Sequence, residues 1–196
     1  MANTLQSPST EGDPGLSFAP SPEERVRYLS IAREAIRERI EKRRGQKPEP
    51  RSGEPRLGAF VTLNEDGRLR GCIGRMESRE PLSLTIEAMA VAAAFEDPRF
   101  KPLSAGELDR ISVEITLLGP RRKIATPEAI ELGRHGVWLE QGYASAVFLP
   151  QVAVEQGWDR PTLLRELCRK AGLRADAWKD ADCVLMVFEG FVFGDS

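Results

Sequence analysis

A chain of 196 residues that is 41% hydrophobic and 30% charged has the composition of an ordinary water-soluble protein and the length for one substantial core. Its formal net charge of −2 exerts no general pull toward nucleic acid or an acidic membrane surface. No apolar run approaches the roughly 20 residues that span a bilayer, the N-terminal stretch "MANTLQSPSTEGDPG" lacks the basic and apolar regions of a secretory signal, and a cytoplasmic protein is expected.

Residues 1–20 are rich in Ser, Pro, Thr and Gly, cannot bury enough surface to offset ordering entropy, and read as a disordered tail. Order is expected from "SPEE", where Ser21 caps, Pro22 takes the first helical position and Glu24 completes a capping box. Val26, Leu29, Ala32, Ile36 and Ile40 then form a stripe at helical spacing, and Gly45 is the expected left-handed stop. A proline-rich connector, "QKPEPRSGEP", follows.

"GAFVTLNEDGRLRGCIG" predicts a hairpin turning at Asn64 to Gly67. "PLSLTIEAMAVAAAFEDP" predicts a helix ending before Pro98, its alanines permitting close packing. "ISVEITLL" alternates Ile111, Val113, Ile115 and Leu117 against Ser112, Glu114 and Thr116, the period of a half-buried strand. A second hairpin over "GVWLEQGYASAVFLP" turns at Gly142, "DRPTLLRELCRKAG" is a helix closed by Gly172, and "CVLMVFEGFVF" is a strand interrupted by Gly190. Hairpins with inserted helices predict an α+β fold on an antiparallel or mixed sheet.

The chemistry of interest lies in "RLRGCIGR", residues 68–75. In an extended strand residues two apart share a face, so Arg70 and Cys72 are expected to project together at about 6–7 Å, with Leu69, Gly71 and Ile73 on the other side. At an effective dielectric of about 20 that places an attraction on the order of 2 kcal/mol beside the thiol, a modest activation. Glycines inside a strand mark a bulge or a close approach by a backbone or ligand, so Gly71 and Gly74 allow two readings: something arrives beside Cys72, or they bend the strand around an inert thiol. Glu114 is either a structural partner of Arg70 or Arg99, or a general base. "FEDPRF", residues 95–100, reads more simply as a helix end fixed by ion pairs.

His135 is the only histidine and sits in a turn-like segment. Cys72, Cys168 and Cys183 are odd in number and far apart, so no disulfide framework or metal knuckle is indicated, and Cys168 falls on the apolar face of its helix. Neither a GxGxxG fingerprint nor a Walker A loop is present, and no cofactor or metal is implied.

"LRGCIG" at 69–74 resembles the signature of the AMMECR domain family, also called protein A of the AmmeMemoRadiSam system. "AFEDPRF" at 94–100, "VEITLL" at 113–118, "FLPQVAVEQGWD" at 148–159 and "LCRKAGL" at 167–173 agree with it in order, so the resemblance spans about residues 22–194. It implies one AMMECR-type domain over 21–196, with larger and smaller subdomains and a cleft between them, and no established activity. It carries Leu69, Arg70, Gly71, Cys72, Ile73 and Gly74 over as the functional surface, and leaves Gln151 as a polar candidate to line the cleft. It also implies the company of a Memo-like protein and a radical S-adenosylmethionine enzyme; with no CxxxCxxC here, radical chemistry would belong to that partner. The expected function is a cytosolic pathway component with a cleft around Arg70, Cys72 and Glu114 that binds a small-molecule or peptide-like ligand. In a catalytic reading Cys72 is the nucleophile, Arg70 an electrostatic stabiliser and Glu114 a base. The alternatives are a non-catalytic protein-binding adaptor and, more weakly, RNA binding by the Arg-rich first helix.

Overall fold

The computed structural model describes residues 18–43 and 47–195. Most of the expected tail, and Gly45 with its helix stop, lie outside the described residues. Phe18, near the end of the expected tail, packs against the first core, and its ring lies where a side chain on Gly119 would stand.

Helix α1 (Pro22–Ile40) begins as its sequence requires, with Ser21 and Glu24 forming a reciprocal capping box ahead of Pro22. Its buried residues are Tyr28, Ala32, Ala35 and Ile36. Val26, expected in the buried stripe, is instead 69% exposed: it stands about 200° around the helix from Tyr28, whose aromatic ring fixes which face turns inward. Tyr28, Arg27 and the Ser83 hydroxyl converge on the buried Glu54 carboxylate, with Arg27 and Ser83 each donating at 2.6 Å, and so tie the connector to both helices of this half.

Strands β1 (Gly58–Glu65) and β2 (Arg68–Arg75) form the first hairpin. Asp66 and Gly67 both take positive φ, 51° and 73°, the two-residue turn whose twist suits a hairpin. Helix α2 (Leu82–Phe95) crosses the inner face of this pair, and strand β3 (Ile111–Leu118) joins β1 on its other side.

Short β4 (Arg122–Lys123), β5 (His135–Gln141), β6 (Ala144–Phe148), α3 (Pro150–Glu155), α4 (Arg160–Lys170) and β7 (Val184–Gly194) complete the chain. The strands run β2-β1-β3-β7-β5-β6, every pairing antiparallel, with β4 on β7. The fold is α+β.

Strand β7 is the common element. Its first half pairs with β5 as far as Glu189, and its second half pairs with β3 from Gly190 onward. Gly190, expected to interrupt the strand, marks this change of partner within one continuous strand. Accordingly Phe191 and Phe193 belong to a buried cluster with α1, α2, β1 and β3, while Leu185 and Val187 belong to a second with β5 and α4. No helix among the described residues is long and apolar enough to cross a membrane.

Candidate functional site

Strand β2 is an edge strand, so one face of its pleat and one row of its backbone groups are open to whatever lies outside β1. Val61, Leu63, Val113 and Ile115 point into the first core. The intervening residues form the outer face, where Cys72 lies opposite Thr62 and Thr62 opposite Glu114. Cys72 and Glu114 therefore occupy one row with Thr62 between them, and the Thr62 hydroxyl donates to Cys72 Sγ at 3.2 Å. Cys72 is half-buried and Glu114 exposed, so this carboxylate does not need the ion-pair partner that burial would demand.

Arg70 is placed differently from Cys72. The β1–β2 register slips between Leu63, which faces Gly71, and Asn64, which faces Leu69. This leaves Arg70 as the extra residue of a bulge, where strict alternation breaks and a side chain is re-aimed. Its guanidinium turns to the segment after α2: Nε donates to Glu107 at 2.7 Å, Nη2 to the Lys101 carbonyl at 3.0 Å, and the group lies 5.9 Å from the Phe100 ring centre. Arg70, then the Ser104 hydroxyl, draw the Glu107 carboxyl down to about 2.

The cation that touches Cys72 is Arg99. Asp97, buried at 4% exposure, accepts the Cys72 backbone N–H at 2.9 Å, and Arg99 Nη2 reaches the Cys72 carbonyl at 3.3 Å. Arg99 also holds Asp97, through Nε at 3.0 Å and Nη2 at 2.7 Å. These Arg99 bonds, opposed by burial and helped by the Cys72 N–H, hold the Asp97 carboxyl well below the usual carboxylate range. Two side chains thus stand in for a neighbouring strand at Cys72. The "FEDPRF" segment does fix a helix end by ion pairing, and what it fixes is the backbone of the thiol-bearing residue.

Each glycine is explained by a close approach from within the chain. A Cβ on Gly71 would stand 2.2 Å from the Ala93 carbonyl oxygen of α2, and one on Gly74 2.2 Å from the Phe60 ring. Ile73 packs against the first core, and Leu69 is 43% exposed near the hairpin tip.

The remaining candidates lie elsewhere. Gln151 is exposed at the start of α3; its neighbour Pro150 comes within 3.8 Å of the space beside Gly190. His135, expected in a turn, opens β5 and is buried. Its Nδ1 accepts the Glu131 N–H at 3.1 Å, and burial lowers its pKa, so it closes the 131–135 loop as a neutral ring. Cys168 lies in the second core and Cys183 packs against it; burial raises both thiols, Cys183 to about 11. No group of three or more His, Cys, Asp or Glu among the described residues is placed to hold a metal. Along α1 and just after it, Arg27 pairs with Glu54, Arg33 with Asp195, Arg37 with Glu34 and Arg43 with Glu34 and Glu41, so much of the charge invoked for RNA is matched internally.

Sequence reasoning overlooked Thr62 and gave Asp97 and Arg99 no connection to Cys72. Alternation along β1 places Thr62 on the outward face, but its pairing with Cys72 depends on the register beyond the bulge. What the site offers chemically is one thiol with a hydroxyl donor beside it, a carboxylate along the row, and a backbone held rigid at both polar groups.

The model of the AMMECR1 family matches residues 29–193. Protein MK0488 of Methanopyrus kandleri is 41% identical over 177 residues, covering 84% of this chain and 85% of that protein. Protein NEQ441 of Nanoarchaeum equitans is 42% identical over 145 residues, with 70% and 81% covered. The crystal structure of the uncharacterized protein PH0010 from Pyrococcus horikoshii superposes with a TM-score of 0.73 at 36% identity, covering 89% of this chain and 92% of that one. The chain belongs to the AMMECR1 family.

Proposed function

We propose that this AMMECR1-family chain is a component of a cytosolic modification pathway whose outer sheet face, around Cys72, binds a small-molecule or peptide-like ligand. The company implied by the family resemblance, a Memo-like protein and a radical S-adenosylmethionine enzyme, supplies the pathway. The observation that carries the reading is the setting of Cys72: it lies on an open sheet face beside a donating hydroxyl, with its N–H taken by Asp97 and its carbonyl by Arg99. A backbone held at both groups keeps a side chain in one place, which a binding or reacting atom needs and a space-filler does not. In the catalytic form of the reading Cys72 is the nucleophile and Glu114 the base in the same row, while the positive charge expected from Arg70 falls to Arg99, because the bulge turns Arg70 onto Glu107. Ligand would enter a cleft between the two halves of the sheet, with Gln151 on its far side.

Iodoacetamide labelling of the native chain, mapped by peptide mass, tests this. Cys72 should be alkylated in the folded protein, with Cys168 and Cys183 reacting only after unfolding; Cys72 labelling confined to the unfolded chain would end the proposal.

A second reading is favoured by Val192, 56% exposed, and half-buried Phe60, which share this face through Thr116. A mixed apolar and polar face suits a docking surface for the partner protein with no chemistry. Under that reading Cys72→Ser retains capture of the Memo-like partner while Val192→Glu abolishes it; under the first, Cys72→Ser removes ligand-dependent modification.

A further inference from the structure

Among the described residues the outer sheet face carries one charge that no other side chain answers. Glu114 is exposed, and its carboxylate has no hydrogen-bond or ion-pair partner there. The other outward positions on β1, on β3, on β2 beyond its bulge and on β7 from Gly190 onward are uncharged. Arg70 and Arg99, the cations expected to pair with Glu114, are held by Glu107 and Asp97. Gly194, opposite Glu114 on β7, has no side chain to cover it. Two residues further along β3, Thr116 lies opposite Phe60 on one side and Val192 on the other. The Phe60 ring leans over Gly74 on β2, where a Cβ would stand 2.2 Å from it, and so inclines away from β3. Val192 is 56% exposed. Thr116 is thus the floor of a notch with hydrocarbon on both walls.

We propose that this face binds an extended peptide segment in which a basic side chain stands two residues from a leucine-sized apolar one, the cation on Glu114 and the apolar group over Thr116 between Phe60 and Val192. This rests on the reading of the outer face as the ligand surface and adds the chemistry that its ligand must have. The sign follows from the unanswered carboxylate, which accepts hydrogen bonds from an ammonium or guanidinium group and repels an acidic ligand. The spacing follows from the pleat: Glu114 and Thr116 project to one side about 6.7 Å apart, and an extended peptide presents every second residue on one side at the same interval. The apolar part follows from Val192 and the edge of Phe60, whose hydrocarbon leaves water only against hydrocarbon. That requirement separates the ligand from a simple inorganic cation. The peptide lies over β3, two strands or about 10 Å from Cys72, so its binding does not consume the thiol.

The test is titration of the uniformly 15N-labelled full chain with three blocked tripeptides, acetyl-Lys-Gly-Leu-amide, acetyl-Gln-Gly-Leu-amide and acetyl-Glu-Gly-Leu-amide. At low ionic strength the lysine peptide should give saturable shifts at the amides of Thr62, Glu114, Thr116 and Val192. The glutamine peptide should bind about threefold to fivefold more weakly and the glutamate peptide more weakly still, with the gap narrowing in high salt as an exposed ion pair requires. Glu114→Gln should abolish the difference between the lysine and glutamine peptides, and Glu114→Lys should invert the order so that the glutamate peptide binds best. A Glu114 that only supports the strand would do neither. Val192→Ser should weaken all three peptides by a common factor. Equal affinities on the parent chain, or an order that Glu114→Lys does not invert, would overturn the proposal while leaving the face a binding surface of other chemistry. No saturable shift with any of the three would overturn it too, and native labelling of Cys72, measured separately, then decides whether the reading of the face falls with it.

Discussion

Replacing Gly71 by alanine separates the two meanings that a glycine beside Cys72 can have. The added Cβ would stand 2.2 Å from the Ala93 carbonyl oxygen and 3.2 Å from its carbonyl carbon. These are backbone atoms of α2, so no side chain can swing aside. Restoring an ordinary contact requires α2 and β2 to part by about 1 Å, and a gap of that size forfeits a quarter to a half of the dispersion attraction at each affected contact. Leu82, Ile86, Met89, Ala90 and Ala93 all pack from α2 into the first core. Overpacking of this kind costs about 1–3 kcal/mol, offset by up to about 1 kcal/mol from the less flexible unfolded chain. The expected net loss is about 1–2 kcal/mol, or roughly 2–8 °C in Tm for a chain of this size. Urea unfolding should show it as a lower midpoint at unchanged slope. Gly106→Ala is the control: its Cβ meets nothing within 4 Å and its φ is ordinary, so it should change stability by no more than about 0.5 kcal/mol. Equal stabilities for the two variants would refute the claim that α2, rather than a ligand, requires glycine at position 71.

Asp97→Asn removes the charge that pairs with Arg99 and weakens the acceptor for the Cys72 N–H; a loss of about 1–3 kcal/mol is expected in urea unfolding at pH 7. Asp97 and Glu107 both have folded pKa values below their ordinary ones, so their contributions are full above the unfolded carboxylate range near about 4 and fade as pH falls below it. The unfolding midpoint should therefore drop more steeply between pH 5 and 2.5 in the parent chain than in Asp97→Asn, and parallel curves would contradict the assignment. For His135 burial lowers the folded pKa, so protonation of the unfolded chain costs stability as pH falls through about 6.5 and the loss levels off below the folded value; His135→Asn should flatten that step. Asp195 accepts the Val113 N–H at 2.7 Å and pairs with Arg33 of α1, so Asp195→Ala should cost about 1–3 kcal/mol, measured as a fall in Tm.

Much of the fold was legible because its signals are local. The capping box at Ser21, the Asp66–Gly67 turn and the alternation from Ile111 to Leu117 each identify an element without reference to anything distant. Two elements escaped, and a third was read as interrupted, for definite reasons. Strand β4 is two residues long and has no period to read; α3 spans six residues and begins at Pro150, which looked like the end of a hairpin; and Gly190 resembles a strand breaker when it lies where β7 changes partner. The turned stripe of α1 has the same cause, since only the fold reveals that Tyr28 outweighs Val26. At the site, the thiol and its motif were recognisable, whereas the contacts that position them depend on long-range pairing. Cys72 meets Asp97 and Arg99 across 25 and 27 residues of chain, and Arg70 meets Glu107 across 37.

The bulge at Arg70 shows why six consecutive residues need not form one site. With strict alternation, Arg70, Cys72 and Gly74 would share a face, and Cys72 would have a guanidinium beside it on the strand. One extra residue instead divides the motif by direction: Gly71 and Ile73 press inward on α2 and the first core, Cys72 and Gly74 stand with Thr62 and Phe60 on the outer face, and Leu69 and Arg70 line the hairpin tip. Each pair answers to a different neighbour, so substitutions within the motif should have separable effects. A change at position 71 registers in stability, one at 72 in the chemistry or docking of the outer face, and one at 70 in the acid dependence of stability through its pair with Glu107. A motif whose every substitution moved all three measurements together would have to act as a single surface, and that would require Arg70 to leave Glu107 and return to the face of Cys72.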